Sequence, residues 1–266
     1  MTDIGTGTYT ILQQIACELL GLASASVSVE LGDTEFPAGA GSGGSWGAAS
    51  AGSSVYLACA AIREQIAKKL DVDADDLTLK DGTAIAANRV TLLADLAGEG
   101  LEATGEIAPG LQETKTTQAS YGAHFCEVGV NAVTGEVRVR RYLGAFAAGR
   151  ILNARTARSQ ILGGVTFGIG AALTEEMMHD PRTGKLVNRD LAEYHVPVHA
   201  DVPALEVMLL DERDIHANPI HAKGVGELGI SGAGAAIANA IFNACGVRVV
   251  DFPITCDKLL AGLPPL

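Results

Sequence analysis

The segment from Asn153 to Met178 constrains the fold most. It is long and apolar enough for a buried helix, with Asn153 as a plausible N-cap, yet it carries Gly163, Gly164, Gly168 and Gly170 in its interior. Each such glycine costs roughly 1 kcal/mol relative to alanine, so the run predicts a neighbouring element or a ligand packed directly on the helix backbone, with core packing as the plain alternative. The rest of the chain agrees with close backbone packing. Of its 266 residues 32 are glycine, and only 5% are aromatic. A chain of this length buries a sizeable core, either as one domain over 1–266 or subdivided into 1–118 and 119–266.

Around that helix the periodicities predict a mixed α+β chain, with sheets flanked by helices. Helices are expected over Tyr9 to Leu20, Val55 to Leu70, Arg89 to Ala97, Ile230 to Cys245 and Cys256 to Ala261, the last capped by Thr255. Strands are expected at Val27 to Leu31, either side of a Lys80-Asp81-Gly82-Thr83 turn, at Leu205 to Leu210 and at Val247 to Val250. His124 to Val130 and Val137 to Ala145 form a hairpin through Asn131 to Glu136, with Gly135 at the turn. Asp180 to Lys185 is a further turn, and the stretch up to Gln118 is weakly patterned.

Charge and cysteine usage exclude several function classes. The net charge of −12 opposes the counterion release on which nucleic-acid binding depends. The longest apolar run, Ile161 to Leu173, is short of the roughly 20 residues that span a bilayer, so no membrane partner is expected. Cys17, Cys59, Cys126, Cys245 and Cys256 are widely spaced and form no CxxC or Cys/His cluster, which leaves no zinc or iron–sulfur signature. The start, Met1 to Gly5, lacks a basic and apolar leader pattern. Free thiols in the cytoplasm are the expectation, with export alongside a partner left open.

The sharpest chemical feature is Lys223-Gly224-Val225-Gly226-Glu227-Leu228-Gly229, an acid in a glycine loop that opens onto a helix. Glycines remove neighbouring bulk, so the Glu227 carboxylate could face a cavity as a general base. The same acid at a helix start would also stabilise the macrodipole with no chemistry at all. Gly224, Gly226 and Gly229 satisfy a dinucleotide-binding Gly-x-Gly-x-x-Gly, with Asp251 downstream in the place of the ribose-binding acid. Asn218 to His221 makes a poor preceding strand, however, and too little chain follows Asp251 for the remaining βα units.

Gly41-Ser42-Gly43-Gly44-Ser45 could cradle an anion, or be a plain surface loop, but it lacks the Gly-Lys-Ser/Thr ending of a nucleotide-hydrolysing loop. His195 and His199 are four apart, with Pro197 between them breaking any helix that would aim both at one metal. Structural roles are expected for the histidines, and no residue is assigned to a metal.

Lys223 to Glu227 resembles the Lys-Gly-Val-Gly-Glu segment of the molybdenum-binding subunits of the xanthine dehydrogenase and aldehyde oxidase family. Asp3 to Gly7 is similar to that family's early cofactor loop, and Gly41 to Ser50 to its second Gly/Ala/Ser loop near the pterin and its phosphates. Arg158 to Gly164 resembles the glutamine-bearing helix start beside the pterin, and Ala233 to Leu260 the closing helix, strand and helix. The wording of Gly43 to Gly52 is most similar to bacterial periplasmic-type aldehyde oxidoreductase subunits.

The resemblance implies the second molybdopterin-binding domain of a molybdenum hydroxylase acting on a small aldehyde or N-heterocycle. Glu227 would be the base that deprotonates a molybdenum-bound hydroxyl, with hydride passing to a sulfido ligand and water supplying the oxygen. Gly5, Thr6, Gly7, Gly43, Gly44, Ser45, Gln160 and Gly226 would contact molybdopterin, commonly the cytosine dinucleotide in bacteria, mainly through backbone groups. Electrons would leave to iron–sulfur and flavin subunits, for which this chain has no binding residues. The family's subunit is far longer, and the expectation is a chain that enters mid-fold at Asp3 to Gly7. The expected partner is therefore a larger chain carrying the upstream half. Two readings stay open here: one piece of a split subunit, or an inactive truncated or scaffold fragment.

Overall fold

A computed structural model describes residues 1–108 and 115–265. The chain divides into two compact units. The first comprises Met1–Ala119, Ala148–Thr156 and Asp211–Gly224; the second comprises Ser120–Ala147, Ala157–Leu210 and Val225–Leu266. The expected weakly patterned stretch up to Gln118 lies partly outside the described residues.

In the first unit, α1 (Thr8–Leu20) and α2 (Gly47–Leu70) lie together. Leu12 and Ile15 of α1 share a buried cluster with Ile220 and Ala222. Gly21 closes α1 in the left-handed conformation, and a β-carbon there would run into the Leu79–Lys80 backbone, so only glycine fits. α2 begins eight residues before the expected Val55, because its Gly/Ala/Ser start is simply helical; Lys68 and Lys69 complement its C-terminal dipole. β1 (Leu77–Lys80) and β2 (Thr83–Ala86) form the expected hairpin through Asp81 and Gly82, both at positive φ.

β3 (Arg89–Leu92) corrects the helix expected over Arg89 to Ala97. Val90 and Thr91 pair with β2, and only α3 (Leu93–Ala97) is helical. Val27 to Leu31 is not a strand either. Val29 and Leu31 pack on the α1 cluster, which accounts for their alternation, while Gln13 Nε2 donates to Ser24 O and Val27 O at 2.9 and 2.8 Å.

The second unit is built on a mixed sheet. β4 (Tyr121–Val130) and β5 (Val137–Ala147) form the antiparallel hairpin, and β6 (Ala204–Leu209) joins β5 in parallel, giving the order β4-β5-β6. A parallel neighbour needs a crossover, and α4 (Ala154–Leu173) lies between β5 and β6 in the chain. Asn153 caps α4 as expected, its Oδ1 accepting from the Arg155 and Thr156 amides at 3.0 Å. The helix stops at Leu173 rather than Met178, because Thr174 and Glu175 N–H both turn back to Gly170 O. The Met178 amide then donates to Asn188 Oδ1 at the Asp180–Lys185 turn.

The helix expected over Ile230 to Cys245 is broken at Gly232 into α5 (Leu228–Ser231) and α6 (Ala233–Cys245). α7 (Cys256–Leu260) ends the described fold. Val247 to Val250 is not a strand; Val247 and Val249 instead lie against the core. That core joins Tyr142 and Phe146 of β5, Ile161, Val165 and Ile169 of α4, Ile237 and Ile241 of α6, and Leu259 of α7. The stripe at i, i+4, i+8 along α4 is the face of an amphipathic helix, its glycines lying between.

Candidate active site

Lys223 anchors the glycine loop in the first unit. Its side chain is only 7% exposed, with Nζ 3.1 Å from Glu212 Oε1 and 3.5 Å from Asp214 Oδ2. Glu212 Oε2 also accepts from Gly149 N–H at 2.7 Å, and Lys223 N–H donates to Ala148 O at 2.9 Å. A buried cation with two carboxylates is strongly destabilised if either side is removed, so this cluster holds 211–224 on 148–150. Gly224 then passes against Ser45: a β-carbon on it would lie 2.5 Å from Ser45 O.

Two more predicted loops meet in the same unit. Thr2 N–H donates to Ser42 Oγ at 3.2 Å and Ser42 Oγ–H to Thr2 O at 2.6 Å, tying 1–7 to 41–47. Asp3 organises the first of these. Its Oδ1 accepts from the amides of Gly5, Thr6 and Gly7 at 2.8, 2.9 and 3.4 Å, and its Oδ2 from Tyr9 N–H at 3.3 Å. Burial alone would raise the Asp3 carboxyl, but the four N–H donors outweigh it and hold it below the usual value. The Gly5, Thr6 and Gly7 amides thus already have an acceptor within the chain, which the expectation of backbone contacts to a cofactor did not foresee. Gly7 also leaves room for Thr156, whose methyl would sit 2.8 Å from a β-carbon there.

The second loop is different. Gly44 and Ser45 are both left-handed, at φ 56° and 58°, and the Trp46 indole closes over Gly44 while donating from Nε1 to Gly41 O at 2.9 Å. No side chain caps α2 and no acid occupies its first turn, so the Gly47, Ala48 and Ala49 amides have no acceptor among the described residues. Gly41 and Gly43 border open space. Unengaged amides at the start of a 24-residue helix, with the Ser45 hydroxyl beside them, suit a phosphate group. The donor set therefore fits a phosphate-bearing cofactor.

Glu227 stands in the second unit as the residue before α5, at φ −108° and ψ −6°. Its side chain is exposed, with no hydrogen-bond or ion-pair partner among the described residues. Its mount is rigid. Gly229 lies on the α4 backbone, so close that a β-carbon would strike Ile161 O, and a β-carbon on Gly164 would lie 2.8 Å from Ile230 N. Two of the four helix glycines, Gly164 and Gly168, thus take the neighbouring segment directly on the backbone. Ile161 follows Gln160, so this contact sets Gln160, partly buried, beside the segment that carries Gly226 and Glu227.

Gly5, Thr6, Gly7, Gly43, Gly44 and Ser45 belong to the first unit, and Gln160, Gly226 and Glu227 to the second. Among the described residues no three His, Cys, Asp or Glu side chains gather to hold a metal ion. The dinucleotide-binding reading fails on the fold: among the described residues no strand leads directly into Gly224, α5 is four residues long, and Val247 to Val250 forms no strand.

Sequence reasoning missed His124, whose Nδ1 lies 2.7 Å from Tyr142 Oη beneath the α5–α6 joint. Strand alternation puts His124 and Tyr142 on one face only once the hairpin register is known. Asp3, Glu212 and Trp46 were missed too, because each acts on loop backbone, which leaves no periodic signal.

Within the first unit, a helix start with unengaged amides and two glycine loops tied together suit a phosphorylated cofactor, and the second unit carries an exposed carboxylate at Glu227. Over residues 1–203 the chain matches the molybdopterin cofactor-binding domain family, and it belongs to that family, among the molybdenum-binding subunits of the xanthine dehydrogenase and aldehyde oxidoreductase type. It is 52% identical over 265 residues, 99% of this chain, to the aldehyde oxidoreductase molybdenum-binding subunit PaoC of Escherichia coli O157:H7. It is 32% identical over 272 residues, 98% of this chain, to the probable hypoxanthine oxidase XdhD of Escherichia coli K12. Among solved structures, quinoline 2-oxidoreductase from Pseudomonas putida 86 superposes with a TM-score of 0.86 at 25% identity, over 99% of this chain and 36% of that one. The chain spans 36% of the length of PaoC and 28% of XdhD.

Proposed function

We propose that the chain is the glutamate-bearing portion of a molybdenum hydroxylase that oxidises an aldehyde or N-heterocycle with water as the oxygen source. The observation that carries this reading is Glu227 itself, an exposed carboxylate without a partner among the described residues, on a segment packed directly against the α4 backbone. Of the two substrate classes, aldehydes have the stronger support, from 52% identity to an aldehyde oxidoreductase subunit against 32% to a probable hypoxanthine oxidase.

When bound, the molybdenum cofactor supplies the two-electron oxidant and the Lewis acidity that activates the oxygen nucleophile. Glu227 receives, on a carboxylate oxygen, the proton released as that oxygen adds to the electrophilic carbon. A positioned carboxylate contributes about 100- to 10,000-fold in this role. Gly43, Gly44, Ser45 and the α2 start cradle the phosphates, the cytosine dinucleotide form presenting two of them. Gly5, Thr6, Gly7, Gln160 and Gly226 would be further cofactor contacts, mainly through backbone groups.

The reading requires a larger companion carrying the upstream portion, with iron–sulfur and flavin proteins as electron acceptors. Mild affinity purification of the tagged chain from its host, with molybdenum quantified, tests it. Recovery of a larger companion with near-stoichiometric molybdenum is the expected result. Recovery of the chain alone and metal-free contradicts it.

A further inference from the structure

His124 lies on β4, and its ring is wedged between the second unit's sheet and the α5–α6 joint. Nδ1 is 2.7 Å from Tyr142 Oη, and the Phe146 ring meets it edge-on, with centroids 5.0 Å apart at 78°. On the other side, a β-carbon on Gly232 would lie 2.7 Å from His124 Nε2 and closer still to Cδ2, so Gly232 leaves room for this ring. The Leu228 backbone, one residue after Glu227, lies within hydrogen-bonding reach of the His124 ring, and the Leu228 carbonyl also accepts from Ser231 Oγ at 3.0 Å.

The protons can be placed. Burial pushes the Tyr142 phenol upward, with Cys126 adding to it, so Tyr142 keeps its proton and donates to Nδ1. Nε2 then carries the ring hydrogen and donates to the Leu228 carbonyl. Burial lowers the His124 pKa, and the Leu228 carbonyl offsets part of that, which keeps the ring neutral as this pattern needs.

We infer that Tyr142 and His124 form a positioning relay from the sheet core to the Leu228 carbonyl, fixing the start of α5 and hence the direction of the Glu227 carboxylate. His124 touches no reacting atom in this account, which rests on the reading of Glu227 as the base. α5 is a helix of only four residues; besides the relay, its first turn is held by the Gly229 contact with α4, by Ser231 Oγ–H donating to Leu228 O at 3.0 Å and by Leu228 N–H donating to Val225 O at 3.2 Å.

The test uses the full molybdenum-binding subunit in its assembled, cofactor-loaded complex, with His124→Ala, His124→Gln and Tyr142→Phe. The first readout is amide hydrogen exchange over 225–232 against the β4–β5 hairpin. Loss of a buried hydrogen bond should raise exchange in His124→Ala on the order of tenfold over 225–232, with the hairpin unchanged. The second readout is kinetic: kcat should fall roughly 10- to 100-fold with KM and molybdenum content held, as expected when a reacting group is misaimed. His124→Gln, whose amide can still donate to Leu228 O, should restore part of both, and Tyr142→Phe should fall between.

Unchanged exchange over 225–232, exchange rising equally across the hairpin, or a KM increase at constant kcat each overturns the relay. The exchange result does not depend on Glu227 being the base. If Glu227→Gln keeps full turnover while His124→Ala still loosens 225–232, the base assignment fails and the relay stands.

Discussion

Gly224 runs against Ser45 so closely that a β-carbon on Gly224 would lie 2.5 Å from the Ser45 carbonyl oxygen and 2.6 Å from its β-carbon. Both contacts belong to one compact unit, and Lys223, the preceding residue, is fixed there by Glu212 and Asp214. Gly224→Ala has no flexible side-chain end to push aside. It should destabilise by about 1–3 kcal/mol, as overpacking does, and lower the molybdenum retained by the assembled enzyme. Chemical denaturation and metal analysis would check both effects.

Two adjacent glycines of α4 should respond with opposite signs. Gly163 is exposed and faces open space, so Gly163→Ala should stabilise by roughly 0.5–1 kcal/mol through helix propensity. Gly164 faces the Gly229 and Ile230 backbone at 2.8–3.0 Å, and Gly164→Ala should cost about 1–3 kcal/mol. Thermal melts of the two variants separate backbone packing from general glycine cost.

Acid should weaken the second unit through His124. Its folded pKa is depressed below 6.5, chiefly by burial, so between the two values the unfolded chain binds a proton that the folded chain does not. Stability is then full above about pH 6.5 and falls as pH drops toward the folded value. Urea midpoints measured from pH 7.5 to 5 should decline more steeply for the wild type than for His124→Gln, which has no titrating ring.

Much of the fold was legible because it is periodic. The β4–β5 hairpin, the Asp81-Gly82 turn and the Asn153 cap each follow from local chemistry that the structure retains. The failures share a cause. Arg89 to Leu92 became a strand because β2 offered it an edge, and Val247 to Val250 remained irregular, with Val247 and Val249 packed against the core instead. The split at Gly232 needed knowledge of a histidine more than 100 residues earlier. For the candidate site, Glu227 and the glycine loops were visible as motifs. The Asp3 carboxylate that takes three loop amides, the Trp46 staple and the His124–Tyr142 pair were not, since each joins residues that only the tertiary fold makes neighbours.

The central claim is that Glu227 is the base, and Glu227→Gln tests it most directly. The side chain is exposed and without a partner among the described residues, so the amide should leave folding and molybdenum content unchanged. Turnover of an aldehyde by the assembled, cofactor-loaded enzyme should fall about 100- to 10,000-fold. A variant that keeps full molybdenum and turns over within a few-fold of the wild type would contradict the account.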